Sequence, residues 1–417
     1  MFTVLRTTWP LFLGLMLLML GNGLQGTLLG IRGSIEGFST TEMSLVMSAY
    51  FVGFLFASQR APMMIRRVGH VRVFAALGSF ISAALILFPA ITEPWAWIVL
   101  RIVIGFSFCG VYITVESWLN DSATNETRGR ALSLYIIVQM VGIIAAQALL
   151  NLADPAGFML FIIPSVLVSI AFAPILLTAS PAPSFADTKK MSIRRLFEIS
   201  PLGCATVFVM GGIFSAMFGM GSVYGTRAGF SVVEISIFIA AIYTGGLVFQ
   251  YPIGWASDRM DRRHLILGVS VLGAVVMALG IPFSENFLMA VFLGFLVGGV
   301  ANPLYSLAIA YTNDYLEPAD MAAASAGLLF LNGIGAIGGP LILGWMMDWM
   351  GPGGYYLFLA VLFGALAVYA RWRMLRRRDR GITTPGTFVP MSPSTTMAAG
   401  ANLEAIHEEH PEEAPAA

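Results

Sequence analysis

Twelve apolar stretches, each about as long as a bilayer is thick, constrain this chain more than any other feature. They fall near residues 9–30, 41–63, 71–91, 95–118, 131–151, 157–178, 201–222, 232–254, 265–284, 287–311, 322–346 and 354–371. A helix needs roughly 20 apolar residues to cross the hydrocarbon core. Lipid offers no hydrogen-bond partner, so such stretches fold as helices that satisfy their own backbone. The expected fold is an all-α membrane protein with 12 transmembrane helices. Composition agrees: 57% of residues are hydrophobic and 11% charged, against about 25% charged in soluble domains. The first run, Trp9 to Gly30, is too long for a signal-peptide core and is expected to stay as the first helix.

Lys and Arg orient the spans. Twenty of the 23 fall on one set of loops and termini, among them Arg60, Arg66, Arg67, Arg128, Arg130, Arg194, Arg195, Arg259, Arg262, Arg263 and the cluster from Arg371 to Arg380. The other side has Arg32 and Arg227, and Arg101 lies within a span. Both termini are therefore expected in the cytoplasm of a bacterial cell, with the protein in its inner membrane. Residues 179–200 form the longest internal loop and divide the spans six and six. The expected parts are an N-terminal bundle (1–178), a cytoplasmic linker (179–200), a C-terminal bundle (201–379) and a disordered tail (380–417), which is rich in Pro, Ser, Thr, Ala and Glu.

The halves repeat. A shift of 192 residues places Glu36-Gly-Phe-Ser39 on Ala228-Gly-Phe-Ser231, Glu42 on Glu234, Gly53 on Gly245 and Arg67 on Arg259. One residue more aligns Tyr112 with Tyr305, Asn120-Asp121 with Asn313-Asp314 and Gly142 with Gly335. Two pseudo-symmetric six-helix bundles follow, with a site near the midplane between them. Ser39-x-x-Glu42 and Ser231-x-x-Glu234 read as capping boxes at helix starts.

The loop after the eighth span reads Gly254-Trp-Ala-Ser-Asp258-Arg259-Met-Asp261-Arg262-Arg263. It resembles the G-x-x-x-D-R-x-G-R-R signature of the major facilitator superfamily, with Asp261 where that family has Gly. The equivalent first-half loop, Pro62 to His70, is degraded, and Arg66 stands where the family has Asp. Arg101-x-x-x-Gly105 resembles a second family motif, associated with proton coupling. The antiporter-type G-x-x-x-G-P survives as Gly335-x-x-x-Gly339-Pro340 in the eleventh span, while the fifth has Gly142-x-x-x-Ala146-Gln147. Glu116-Ser-Trp-Leu-Asn-Asp121 followed by Arg128-Gly-Arg130 resembles the YcaD-like branch. The resemblance implies the major facilitator fold and solute transport by rocking of the two bundles about a central site.

The loop charges are expected to work as a cytoplasmic gate of Arg66, Arg67, Asp121, Asp258, Arg259, Asp314, Glu317 and Asp320. Equivalent positions pair Arg67 with Asp121 and Arg259 with Asp314. Arg66 reverses the usual sign, and the loop facing it holds Asp314, Glu317 and Asp320, so Arg66 is expected to meet Glu317 or Asp320.

The fourth span, 95–118, carries both a base and an acid, Arg101 and Glu116. A charge in hydrocarbon costs about 2.5–3.5 kcal/mol on insertion scales, which marks it as functional or well partnered. Fifteen positions separate them, about 22 Å along a helix, so they do not pair. Arg101 matches Asn22 and Gln25 in depth and is expected to donate to one of them; snorkelling to the surface is the alternative. Glu116 is expected either to brace Arg67, Arg128 or Arg130, or to carry a proton. Gln139, Tyr243, Asn302, Tyr305 and Asn332 complete the candidate pathway, with Asn302-Pro303 expected to break the tenth helix.

No Walker loop, His-Glu-x-x-His or intramembrane His is present to serve an enzyme. Cys109 and Cys204 have no metal-ligand spacing. The expectation is a secondary transporter acting as a monomer, without cofactor or metal. Its partners would be a small organic solute, the bilayer and, as a candidate coupling ion, the proton. The zero net charge by itself says nothing of nucleic acid, and no such partner is expected. A sensor or scaffold that keeps the fold, or a facilitator without ion coupling, is the alternative.

Overall fold

The structure is a computed structural model. It describes the backbone of residues 2–122, 125–176, 191–376 and 391, and their side chains except at 2–8, 120–122, 125–130, 175–176, 318–319 and 322. Among the described residues all regular structure is helical, joined by turns and short loops. The first bundle holds α1 (Phe2–Ile35), α2 (Thr40–Val68), α3 (His70–Ala90), α4 (Pro94–Ser122), α5 (Asn125–Leu149) and α6 (Met159–Leu176). A short helix, α7 (Ile193–Ile199), precedes the second bundle. That bundle holds α8 (Pro201–Phe214), α9 (Gly221–Arg227), α10 (Val232–Ser257), α11 (Arg262–Gly280), α12 (Phe287–Asn313), α13 (Pro318–Met350) and α14 (Gly353–Arg376). Eleven helices are long and apolar enough to cross a membrane, and Met159–Pro174 is a shorter one. Val248, Leu288 and Val368 are among the large apolar side chains turned outward, as lipid contact requires.

The repeat is visible in local chemistry. Ser39 and Ser231 both close capping boxes, with Glu42 and Glu234 accepting from the cap N–H at 2.8 Å in each. The turns before them need a positive φ, and Gly37 and Gly229 supply it at 78° each. The helix crossings repeat as well. A Cβ on Gly53 would overlap Ile102 O, and one on its counterpart Gly245 would overlap Phe295 O. Only Gly allows α2 to lie on α4, and α10 on α12, at that distance.

Within the first bundle α1 packs on α5 and α6, and α2 on α4; in the second, α8 packs on α13 and α10 on α12. The bundles join along α2–α13, α5–α10 and α1–α9. Contacts that draw them together cluster away from the basic face. Thr41 Oγ1 donates to Asp348 Oδ2 at 3.2 Å, Asn151 Nδ2 to Ser236 Oγ at 3.3 Å, and Ser48 Oγ to Ile337 O at 2.9 Å. Gly30 lies against Ser222, and Gly344 against Ser44.

Two expectations change. The helix break belongs to the seventh span, not the tenth. Between α8 and α9, residues Ser215–Gly219 wind as a π-helical turn. α12 runs unbroken through Pro303, since a helix inside the membrane tolerates one missing N–H where it packs against neighbouring helices; the Asn302 amide donates to Gly298 O at 3.1 Å. The linker expected over 179–200 ends in α7, which buries Leu196 against Gly327 of α13. Beyond α14 the one described residue, Met391, is 4% exposed and joins the apolar core.

Candidate functional site

Between the bundles lies a cavity of about 180 Å³. α1, α2, α4 and α5 form one wall; α8 with its π-turn, α10, α12 and α13 form the other. Arg101 is 4% exposed and points into it. Its Nη1 donates to Gln25 Oε1 at 3.0 Å, and Nη2 reaches Met47 Sδ at 3.6 Å. Its guanidinium carbon stands 4.7 Å from the Tyr50 ring centroid, a cation–π contact. Nε has no partner. Among the described residues the buried charge is met only by neutral groups, and snorkelling is excluded by its burial.

The Arg101 bond continues as a relay. Gln25 Nε2 donates to Asn22 Oδ1 at 3.1 Å, and Asn22 Nδ2 to the Tyr112 hydroxyl at 2.9 Å. Gln25 and Asn22 are three residues apart and so share a face of α1. Deeper along the same wall, Thr27 Oγ1 donates to Gln147 Oε1 at 2.9 Å, while Gln147 Nε2 donates to Gly23 O and Ile143 O. The Gln147 that replaces the antiporter motif's Pro therefore joins α5 to α1.

The opposite wall is aromatic. Phe214 stacks on Phe218 (centroids 5.7 Å, 12° apart), and Phe218 on Tyr243 (4.5 Å, 22°). The π-turn adds a residue to the helical register and turns both phenylalanines to the cavity, in keeping with the habit of such turns to sit at functional sites. Asn302 and Asn332 supply its polar groups, Asn332 Nδ2 donating to Val207 O at 3.1 Å.

Seven of the nine expected pathway residues line the cavity: Asn22, Gln25, Arg101, Gln139, Tyr243, Asn302 and Asn332. Tyr305 does not; it is buried edge-on to Phe214, 5.7 Å away. Glu116 also stands back. Its Oε1 accepts from the Tyr135 hydroxyl at 2.9 Å, and that oxygen accepts from Gln139 Nε2 at 2.9 Å, so it reaches the cavity in two steps. The sequence reading missed Tyr50, Phe51, Phe54, Thr27, Tyr112, Gln147, Phe214 and Phe218. The run Gly211-Gly212 to Gly219-Met-Gly221 was the available signal for the π-turn.

At the basic face the gate is wired differently from expectation. Asp314 pairs with Arg262, not Arg259. Arg262 is buried at the first turn of α11, donating also to Ser257 Oγ (3.1 Å) and Ala310 O (3.2 Å). Arg259 instead lies over the Trp255 ring at 4.4 Å and donates to Trp255 O, because it leaves the last turn of α10 on its exposed side. Asp261, where the family signature has Gly, caps α11 by accepting from Arg263 N at 2.9 Å. Burial raises the Asp261 carboxyl, but the hydrogen bonds from Arg263 outweigh it and hold the group below its ordinary value. Asp320 accepts from Arg195 Nη2 at 3.4 Å. Arg66, Arg67, Asp258 and Glu317 are exposed. Asp121, Arg128 and Arg130 lie outside the described side chains, so the expected Arg67–Asp121 pair and a brace between Glu116 and Arg128 or Arg130 do too.

A cavity enclosed between two repeated six-helix bundles defines a membrane transport protein. The Major Facilitator Superfamily family model matches residues 11–247 and 204–403, and the chain belongs to that superfamily. Relatives include the uncharacterized MFS-type transporter YfkF of Bacillus subtilis (26% identical over 353 residues, 82% of this chain and 90% of YfkF). Another is the uncharacterized MFS-type transporter YcaD of Escherichia coli O6:K15:H31 (28% over 353 residues, 84% and 91%). Among solved structures, the nucleoside transporter NupG superposes with a TM-score of 0.73 at 17% identity, covering 89% of this chain and 99% of its own. The D-xylose-proton symporter gives 0.67 at 12%, covering 87% and 96%. At these identities the structural likeness bears on the fold alone.

Proposed function

We propose that the protein is a secondary transporter that carries a small organic anion with a flat ring across the inner membrane of a bacterium by alternating access. One observation carries this reading: Arg101 is buried at a cavity between the two moving bundles, with only neutral partners. Holding a charge out of water is costly unless it is paired. A carboxylate or similar anion on the free edge of the guanidinium would remove that cost through charge-assisted hydrogen bonds. The Phe214–Phe218–Tyr243 stack offers a face for a ring, and Asn302 and Asn332 offer amides for its polar edge. NupG and the xylose symporter, whose printed names give a nucleoside and a sugar, favour a small ring-bearing solute.

With the basic face in the cytoplasm, the bundles are drawn together on the outer side, an inward-facing arrangement. The outward-facing state would bring Arg66 towards Glu317 or Asp320, once Asp320 gives up Arg195. If coupling uses a membrane-embedded acid, Glu116 is the residue, linked to the cavity through Tyr135 and Gln139.

The test is uptake into proteoliposomes of a panel of aromatic and heteroaromatic carboxylates, with neutral isosteres beside them, with and without a pH gradient. Saturable flux of an anion and none of its neutral isostere is the expected result. Flux that prefers the isostere would refute the anion reading. Proton-independent flux, or full coupling in Glu116→Gln, would end the role of Glu116. A folded protein that moves nothing would favour a sensor.

A further inference from the structure

Met391 lies beyond the last helix, fifteen residues after the end of α14 at Arg376. It is nonetheless buried within the second bundle. Both of its backbone polar groups are bound by one hydroxyl. Met391 N donates to Ser306 Oγ at 2.9 Å, and Ser306 Oγ donates to Met391 O at 3.1 Å. Gln250 Nε2 donates to the same oxygen at 3.0 Å. A hydroxyl has one proton and two lone pairs, so Ser306 is fully used, and two of its three bonds go to Met391.

The position of this anchor gives it meaning. Ser306 lies one turn from Asn302 on α12, and Gln250 two turns from Tyr243 on α10. These spacings keep each pair on one helix face. Asn302 and Tyr243 line the cavity; Ser306 and Gln250 continue the same wall about 6–10 Å towards the basic face. They stand on the wall along which a solute leaving the cavity towards that face would travel. Met391 occupies this stretch. A fully extended chain of fifteen residues spans up to about 50 Å. The sequence around it, Phe388-Val-Pro-Met391, is an apolar run in an otherwise polar tail.

The anchor also belongs to one half only. By the repeat, Ser306 and Gln250 correspond to Ile113 and Ser58. Ile113 has no hydrogen-bonding group, and Ser58 Oγ donates to Leu55 O of its own helix. The pair is therefore not a consequence of the shared fold.

We propose that Ser306 and Gln250 form a docking site for the protein's own C-terminal segment. Met391, seated there, plugs the inward exit of the transport path, so that the tail restrains transport until it leaves. The docking stands on the geometry alone; the restraint of flux rests on the transport reading above.

The docking is tested by labelling. Cys109 and Cys204 are buried, so Met391→Cys is a usable reporter in the full chain. Its reaction with a water-soluble maleimide should be at least about tenfold faster when Ser306→Val and Gln250→Leu remove the anchor, as expected for a site docked roughly 90% of the time. Equal rates with and without the anchor would overturn the docking. The restraint is tested by flux. Met391→Asp, and a chain ending at Arg380, should each raise initial uptake about three- to tenfold, the factor by which a tail docked roughly 70–90% of the time lowers the open fraction. Unchanged or lower flux in both, with unchanged melting temperature, would overturn the plug. Slow labelling with no flux from any chain would overturn the transport reading and the plug together, and leave the docking standing.

Discussion

The two bundles follow one plan in their backbones and two plans at the cavity. Capping boxes, positive-φ glycines and glycine crossings repeat almost residue for residue. Gln139 and Asn332, which occupy equivalent positions by the 193-residue shift, line the cavity as amides on opposite walls. Around them the chemistry parts. The first bundle holds the charge and the relay Arg101–Gln25–Asn22–Tyr112. The second holds the stacked rings and, nearer the basic face, the Ser306 anchor. Arg101 and Glu116 correspond to Gly294 and Ile309, both buried and uncharged. The lesson is that duplication fixed how the helices cross, while each copy was free to specialise on the face that meets solute. In the proposed transport of a ring-bearing anion, the charge would select and the rings would position, so a site between unlike walls would do both.

Arg101 offers the sharpest way to break this division. Arg101→Gln should lower the transport or binding constant for the anion by at least about 30-fold, since truncating a buried charged partner costs about 2–5 kcal/mol. Arg101→Lys should not restore it, because an ammonium lacks the fork. Isothermal binding in detergent reads both; wild-type affinity in Arg101→Gln would move selectivity to the second bundle. The gate gives the next contrast. Arg262→Ala should destabilise by about 3–5 kcal/mol, since it removes one partner of the buried ion pair with Asp314. Arg259→Ala should cost under about 1 kcal/mol, as an exposed cation–π contact does. Thermal melts in one detergent rank the two, and the reverse order would restore the pairing expected from sequence.

Smaller effects test the aromatic wall and the caps. Phe218→Leu should weaken binding of a ring-bearing anion by about 2- to 12-fold, the range of an aromatic pair worth about 0.5–1.5 kcal/mol. It should leave a chain-like carboxylate unaffected, and competition assays with both ligands separate these outcomes. Ser39→Ala and Ser231→Ala should each cost about 1 kcal/mol, and by similar amounts; unequal losses would show that the halves differ in local stability too. Asp261 adds a pH signature. Its folded carboxyl value is depressed, so its stabilisation is present above the ordinary Asp value of about 3.9. It fades as pH falls through the lower folded value, and Asp261→Asn should remove that part of the acid dependence.

Much of this was legible in the chain itself. Span number and repeat register follow from apolar length and matched residues, because lipid forces each segment to close its own hydrogen bonds. Ser39 and Ser231 are local devices, readable within four residues. Arg101 with Gln25 was foreseen from depth alone, since helices of known rise place residues at known levels. The failures share one cause. Arg259 and Arg262 are three residues apart in one loop, and which of them meets Asp314 depends on the face each takes as α10 ends and α11 begins. Tyr305 and Tyr112 match in sequence, yet Phe214 covers the first while Asn22 binds the second. The π-turn that brings Phe214 and Phe218 to the cavity is a shift of register, invisible to a period of 3.6. Length, hydropathy and repetition settled the helices and their order. Only the packed structure decided which side chains share the cavity, and which buried hydroxyl holds Met391, because those depend on rotation about each helix axis and on contacts between residues far apart in the chain.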